Sequence, residues 1–199
     1  MKSENKYIGD DKFKKFLEHY HCSAPLEVVK FRFAGAICSP NTGLRPTDVI
    51  SSFWPDGQTP RLETKNEAEL FFKFFMGLWD EMFQKIRDNN LKLSKISASA
   101  DLESICRQRF ETVELGFVEG FFGGEENLKI PAYIAEIVDS LSKMALLYKS
   151  LAEKSETRSN HKNIFDAVID CDRMTEKSLN FIIENYVLPH ISDLQRTVN

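Results

Sequence analysis

No run of about 18 apolar residues, the least a membrane-spanning helix needs, occurs in this chain. Its most apolar window, Leu70 to Trp79, is interrupted by Lys73, so no membrane partner is expected. Met1 to Asp10 lack the basic-then-apolar layout of an export signal. No CxxC pair occurs, and the 4 cysteines (Cys22, Cys38, Cys106 and Cys171) are scattered through 199 residues. That spacing argues against a zinc ribbon or a thioredoxin-type site and predicts reduced thiols in a cytoplasmic protein. The chain has no Gly-x-Ser-x-Gly elbow and no His-Glu-x-x-His helix, and no Gly-Lys-Ser/Thr follows its glycine-rich stretch. No cofactor is therefore expected, and the balance leans away from an enzyme. Neither sign of charge dominates: 26 Lys and Arg stand against 30 Asp and Glu, interspersed, for a net charge of −4. This is not the footprint of a non-specific nucleic-acid binder. No stretch alternates convincingly in the manner of a half-buried strand.

What is present is helical periodicity nearly everywhere. Phe13, Phe16, Leu17 and Tyr20 share one face of a short helix from Asp10 to His21. Pro25 opens a second helix over Leu26 to Cys38, and Pro46-Thr47-Asp48 opens a short third. Thr64-Lys65-Asn66-Glu67 has the form of a capping box and launches a long helix to near Arg87, with Phe71, Phe75, Leu78, Met82 and Ile86 on one stripe. Leu102, Cys106, Phe110, Val113, Phe117 and Phe121 are in register over Asp101 to Phe122. Pro131 starts another helix, followed by a polar break over Glu153 to Asn160. A last helix is expected to be capped by Asn163 and ended or kinked by Pro189. The expected fold is all-α, a bundle of about seven helices forming a single domain over residues 1–199, with a seam between two helical halves near 89–100.

The stretch from Gly116 to Gly124 holds four of the chain's 9 glycines. Glycine inside a helix costs about 1 kcal/mol relative to alanine. Gly116 and Gly120 fall on one face, where the missing side chains let a second helix approach. Phe117 and Phe121 fill the neighbouring groove, and Gly123-Gly124 supply the positive φ of a helix end.

Four carboxylates form the one pattern with enzymatic promise. Glu111 with Glu114, and Glu136 with Asp139, lie three apart on two helices, so each pair can aim at one cation. Together they would hold Mg²⁺ for nucleotide pyrophosphatase-type chemistry. A solvated helix face gives the same spacing, and Glu136 and Asp139 lie off the apolar stripe of Ile134, Ile137 and Leu141. Asp166, Asp170, Asp172 and Glu176 read as surface charges, with Arg173 placed to pair with Asp170. His19, His21 and Cys22 offer ligand atoms, but the two imidazoles would point apart on a helix, so no metal site is expected there. The 16 phenylalanines exceed the needs of one core. Phe71, Phe72, Phe74 and Phe75 surround their helix, and the surplus predicts a homodimer or a protein partner.

Two segments carry a family resemblance. Phe33-Ala34-Gly35-Ala36-Ile37-Cys38-Ser39-Pro40, followed by Leu44-Arg45-Pro46-Thr47-Asp48, resembles the small-residue helix, turn and helix start of the YecA/YgfB-like bacterial proteins. Phe117-Val118-Glu119-Gly120-Phe121-Phe122-Gly123 is similar to that family's Trp-Cys-x-Gly-Phe-Leu-x-Gly pattern. The chain departs from it at Lys30-Phe31 and Phe117-Val118, where the family has Asp-Gly or His-Gly and Trp-Cys. No cysteine follows Cys171, so the zinc-binding tail of longer members does not carry over. The resemblance implies an all-helical cytosolic protein without established enzyme activity, in which Gly35, Pro40, Pro46, Phe117, Gly120, Phe121 and Gly123 have structural roles.

Overall fold

Thr64 begins its helix as a capping box should. Its hydroxyl accepts the Glu67 N–H at 3.1 Å, and the Glu67 carboxylate accepts the Thr64 N–H at 3.1 Å. The helix launched there is one of seven helical rods among the described residues of this computed structural model, which are 6–41, 43–57, 59–96, 101–125, 127–155 and 161–191. In chain order they are α1 (Asp10–His19), α2 (Leu26–Cys38), α3 (Pro46–Ser51) and α4 (Lys65–Arg87). Next comes a composite rod of α5 (Leu102–Phe110), a π-helical stretch (Glu111–Val118) and α6 (Glu119–Phe122). α7 (Ala132–Ser155) and α8 (His161–Ile182) complete the set. No described residue is in a strand. The all-α bundle read from the periodicity is the fold.

The phenylalanines divide by helix face. Phe71 and Phe75 of α4 are buried, Phe74 is half-buried, and Phe72 is exposed. Phe75 meets Phe13 edge-on at 5.3 Å, and Phe74 stacks on Phe16 at 4.4 Å between ring centres. Such pairs each add about 0.5–1.5 kcal/mol to the burial of their surface. One apolar cluster runs from Phe13 through Phe33, Phe75, Phe117 and Leu141 to Val187. Leu91 and Leu93, beyond the end of α4, belong to it. Part of the expected seam, residues 97–100, lies outside the described residues, as do residues 156–160 of the expected polar break.

Three local expectations are corrected. The rod from Asp101 to Phe122 is not a uniform α-helix, because its middle eight residues are π-helical. The wider i→i+5 turn changes carbonyl pairing there, and the Leu115 carbonyl accepts two hydrogen bonds from Arg32 of α2. α8 starts at His161, ahead of the expected Asn163 cap. Of the end or kink expected at Pro189, the end does not fall there: the last rod stays helical to residue 191 after a second π-helical stretch, Ile183–Val187. Proline has no N–H to offer the carbonyl four residues back. That carbonyl, on Asn185, instead accepts the Tyr133 hydroxyl at 3.4 Å.

Candidate functional site

The glycine-phenylalanine stretch is where two rods come closest. A Cβ on Gly35 of α2 would run into the Phe117 carbonyl and stand 2.7 Å from the Phe121 nitrogen. A Cβ on Gly120 would run into the Arg32 carbonyl and stand 2.9 Å from the Arg32 Cα, and one on Gly116 would stand 2.9 Å from the Phe31 Cβ. The glycines of both rods thus let backbone meet backbone, while Phe117 and Phe121 are fully buried beside them. Gly123 and Gly124 follow with φ of 57° and 83°, the left-handed end expected of them. Pro46 stands at the first turn of α3, next to an Arg45–Asp48 capping pair. Pro40 lies in the connection between α2 and α3.

A groove of about 690 Å³ opens beside this crossing, between α3, the composite rod and Ser142 of α7. Among the described residues, Asp48, Glu114, Glu119 and Glu125 line it against one cation, Arg32. Arg32 is already engaged: it donates to the Leu115 carbonyl at 2.9 Å, to the Ser52 carbonyl at 3.3 Å and to the Glu119 carboxylate. An acidic wall with its one arginine committed is a poor cradle for phosphate. The double glycine therefore acts as a helix end rather than an anion-binding loop.

The four carboxylates of the enzymatic pattern do not gather. Among the described residues no three His, Cys, Asp or Glu side chains lie close enough to hold a metal ion. Glu111 faces Arg107 and Lys149, whereas Glu114 faces the acidic groove with one buried, unpartnered carboxylate oxygen. Glu136 is exposed, and exposed Asp139 pairs with Lys143 one turn along α7. Three-residue spacing would put each pair on one face of an α-helix, but Glu111 and Glu114 lie in the π-helical stretch and face different surroundings. Mg²⁺-dependent chemistry on these four residues loses its geometric premise.

The acidic set on α8 divides. Arg173 pairs with Asp170 at 2.9 Å on the surface, as the spacing predicts. Asp172 and Glu176 are not surface charges. Asp172 meets Arg109, which is only 2% exposed, and accepts the Tyr148 hydroxyl at 2.7 Å. Glu176 accepts the Leu93 N–H at 3.0 Å. Burial, with the Asp172 charge next in weight, pushes the Tyr148 hydroxyl far above its ordinary range. The network ties α5, α7, α8 and the 91–94 segment into one unit.

The remaining feature is an outward face that periodicity did not single out. On α7, Tyr133 and Leu147 are 46% and 41% exposed, and on α8, Met174 and Phe181 are 53% and 39% exposed. Ile137 and Met144 of α7 and Ala167 of α8 are half-buried. The Tyr133 and Phe181 rings meet at 6.5 Å, so the two rows of side chains adjoin. A hydrophobic spacing count shows that a helix has apolar faces, not which of them another element will cover. A smaller exposed spot, Leu70 with Phe72, lies on α4. No described helix is long and apolar enough to cross a membrane.

No family model, curated protein or solved structure matches the chain. The likeness to YecA/YgfB-like proteins therefore rests on the quoted segments alone.

Proposed function

We propose that this chain is a non-enzymatic protein-interaction module of regulatory or adaptor type, working in the cytoplasm through the outward face of α7 and α8. The observation that carries the reading is the alignment of Tyr133, Leu147, Met174 and Phe181, each more than a third exposed, on two adjacent helices. Contiguous exposed apolar surface of this kind marks contact sites in folded proteins. The scattered carboxylates and the committed Arg32 favour binding over catalysis. Four free cysteines suit a reducing compartment. The YecA/YgfB-like resemblance adds support, because its two segments, around Gly35 and around Gly120, pack directly against each other.

The test is affinity capture from the native cell, with wild type and Met174→Glu as parallel baits and matched folding confirmed by circular dichroism. Proteins retained by wild type and lost by the variant support the reading. Identical retention by both baits would remove it.

A further inference from the structure

We infer that the partner of the α7–α8 face is a second copy of this chain, docked about a twofold axis that crosses both helices at the level of Ser140 and Met174. The inference rests on the interaction reading above and goes further by naming the occupant. Its starting point is register. Tyr133 lies beside Phe181, and α7 and α8 run antiparallel, since Tyr148 meets Asp172 and Thr175 further back along α8. Counting one heptad from the ring contact brings Ser140 level with Met174, and a second brings Leu147 level with Ala167. The outward rows are therefore Tyr133, Ser140 and Leu147 on one helix, and Phe181, Met174 and Ala167 on the other.

A face of this kind is self-complementary under one operation. A twofold axis in the plane of the contact, perpendicular to the helices at the middle level, sets α7 antiparallel to α7 of the second copy and α8 antiparallel to its α8. Tyr133 then covers Leu147 of the second copy, and Phe181 covers the small Ala167. Ser140, also small, meets its own equivalent at the axis. The flanking charges follow the same operation. Glu136 precedes Ser140 as Lys143 follows it, so each Glu136 faces Lys143 of the second copy. Asp170 precedes Met174 as Lys177 follows it, so each Asp170 faces Lys177 of the second copy. All four groups are exposed in the single chain, Lys143 with Asp139 and Asp170 with Arg173 as intrachain neighbours. An unrelated partner would not require acid and base to exchange places about the same level on both helices. The product is an intermolecular four-helix layer with an apolar centre and a charged rim.

The test uses the full chain in sedimentation equilibrium. Wild type is expected to be a dimer, and Met174→Glu a monomer with unchanged circular dichroism. Glu136→Lys alone should raise the dimer dissociation constant at least about tenfold, because the twofold axis sets like charges against each other twice. Adding Lys143→Glu in the same chain should restore dimerisation, an outcome specific to the antiparallel α7 pairing. Ser140→Cys should give a covalent dimer on mild oxidation, whereas Glu69→Cys on α4 should not. A wild-type chain that stays monomeric, or a dimer indifferent to Met174→Glu and to the charge exchange, would overturn the second copy. A monomer whose captured proteins still depend on Met174 would leave the interaction reading standing without the dimer. A monomer whose capture ignores Met174 would remove both.

Discussion

Arg109 of α5 holds Asp172 of α8 through Nε, which lies 3.0 Å from Oδ1, and through Nη2, 2.9 Å from Oδ2. Its remaining guanidinium donors reach the hydroxyl and carbonyl of Ser94. A planar five-donor group is thus used on both sides, by a carboxylate and by the chain beyond α4. This is how two helices and an irregular segment far apart in sequence come to share one buried charge pair.

Breaking that pair should cost more than removing it. Asp172→Ala leaves a buried guanidinium without its counter-ion, and a loss of about 3–5 kcal/mol is expected in urea unfolding. The double variant Arg109→Met with Asp172→Leu removes both charges and should be less destabilised than Asp172→Ala alone. If the double variant loses as much as the two single variants summed, the charges are not coupled.

The crossing of α2 with the composite rod should tolerate no side chain. Gly120→Ala gains about 1 kcal/mol of helix propensity but drives a methyl group into the Arg32 backbone. Overpacking against backbone costs about 1–3 kcal/mol or more, and here it should prevail. A lowered melting temperature is expected for Gly120→Ala and for Gly35→Ala. Equal melting temperatures would refute the close approach.

Much of this fold was legible because its signals are local. The Thr64 box, the α4 stripe, the paired glycines and the double-glycine helix end each depend on residues within a few positions of one another. The π-helical stretch was not, because its sequence keeps an α-like apolar spacing while its carbonyl partner, Arg32, comes from 83 residues away. Arg109 and Asp172 are 63 residues apart, and each alone looks like an ordinary charge on an amphipathic helix. For the candidate site, spacing pairs Glu111 with Glu114 only on an α-helix, and it could not show the π-helical turn that separates them or orient their rod relative to α7. Tyr133, Leu147, Met174 and Phe181 were present as apolar residues, but only the packed bundle left them facing out.

Stability should fall on the alkaline side. Burial, with lesser repulsion from neighbouring Cys171 and Asp172, pushes the Cys106 thiol up to about 11, and burial also raises Cys22, Cys38 and Cys171. Unfolded thiols ionise near about 8.5. Above that value the unfolded chain releases protons that the folded chain keeps, so the thiols' contribution is whole below about pH 8.5 and is lost as pH rises through the folded values. The urea midpoint should decline from about pH 8.5 towards 11, and Cys38→Ala should lessen the slope. A flat midpoint across that range would exclude the mechanism.

Arg32 offers the sharpest separation between charge and shape. It is largely buried against the π-helical stretch, where Nε and Nη2 both point at the Leu115 carbonyl and Nη1 reaches the Ser52 carbonyl and hydroxyl. Lysine preserves the charge but has no planar fork with which to meet these acceptors together. Arg32→Lys should therefore fall well short of wild-type stability, and Arg32→Met further short. The loss for Arg32→Met should be about 1.5–3 kcal/mol, the scale of a hydrogen bond from a charged donor. Amide exchange should locate the effect, with faster exchange over 111–122 in both variants and little change over α8. If Arg32→Lys matches wild type in stability and exchange, the charge alone suffices, and the fork on Leu115 is not what holds the π-helical turn.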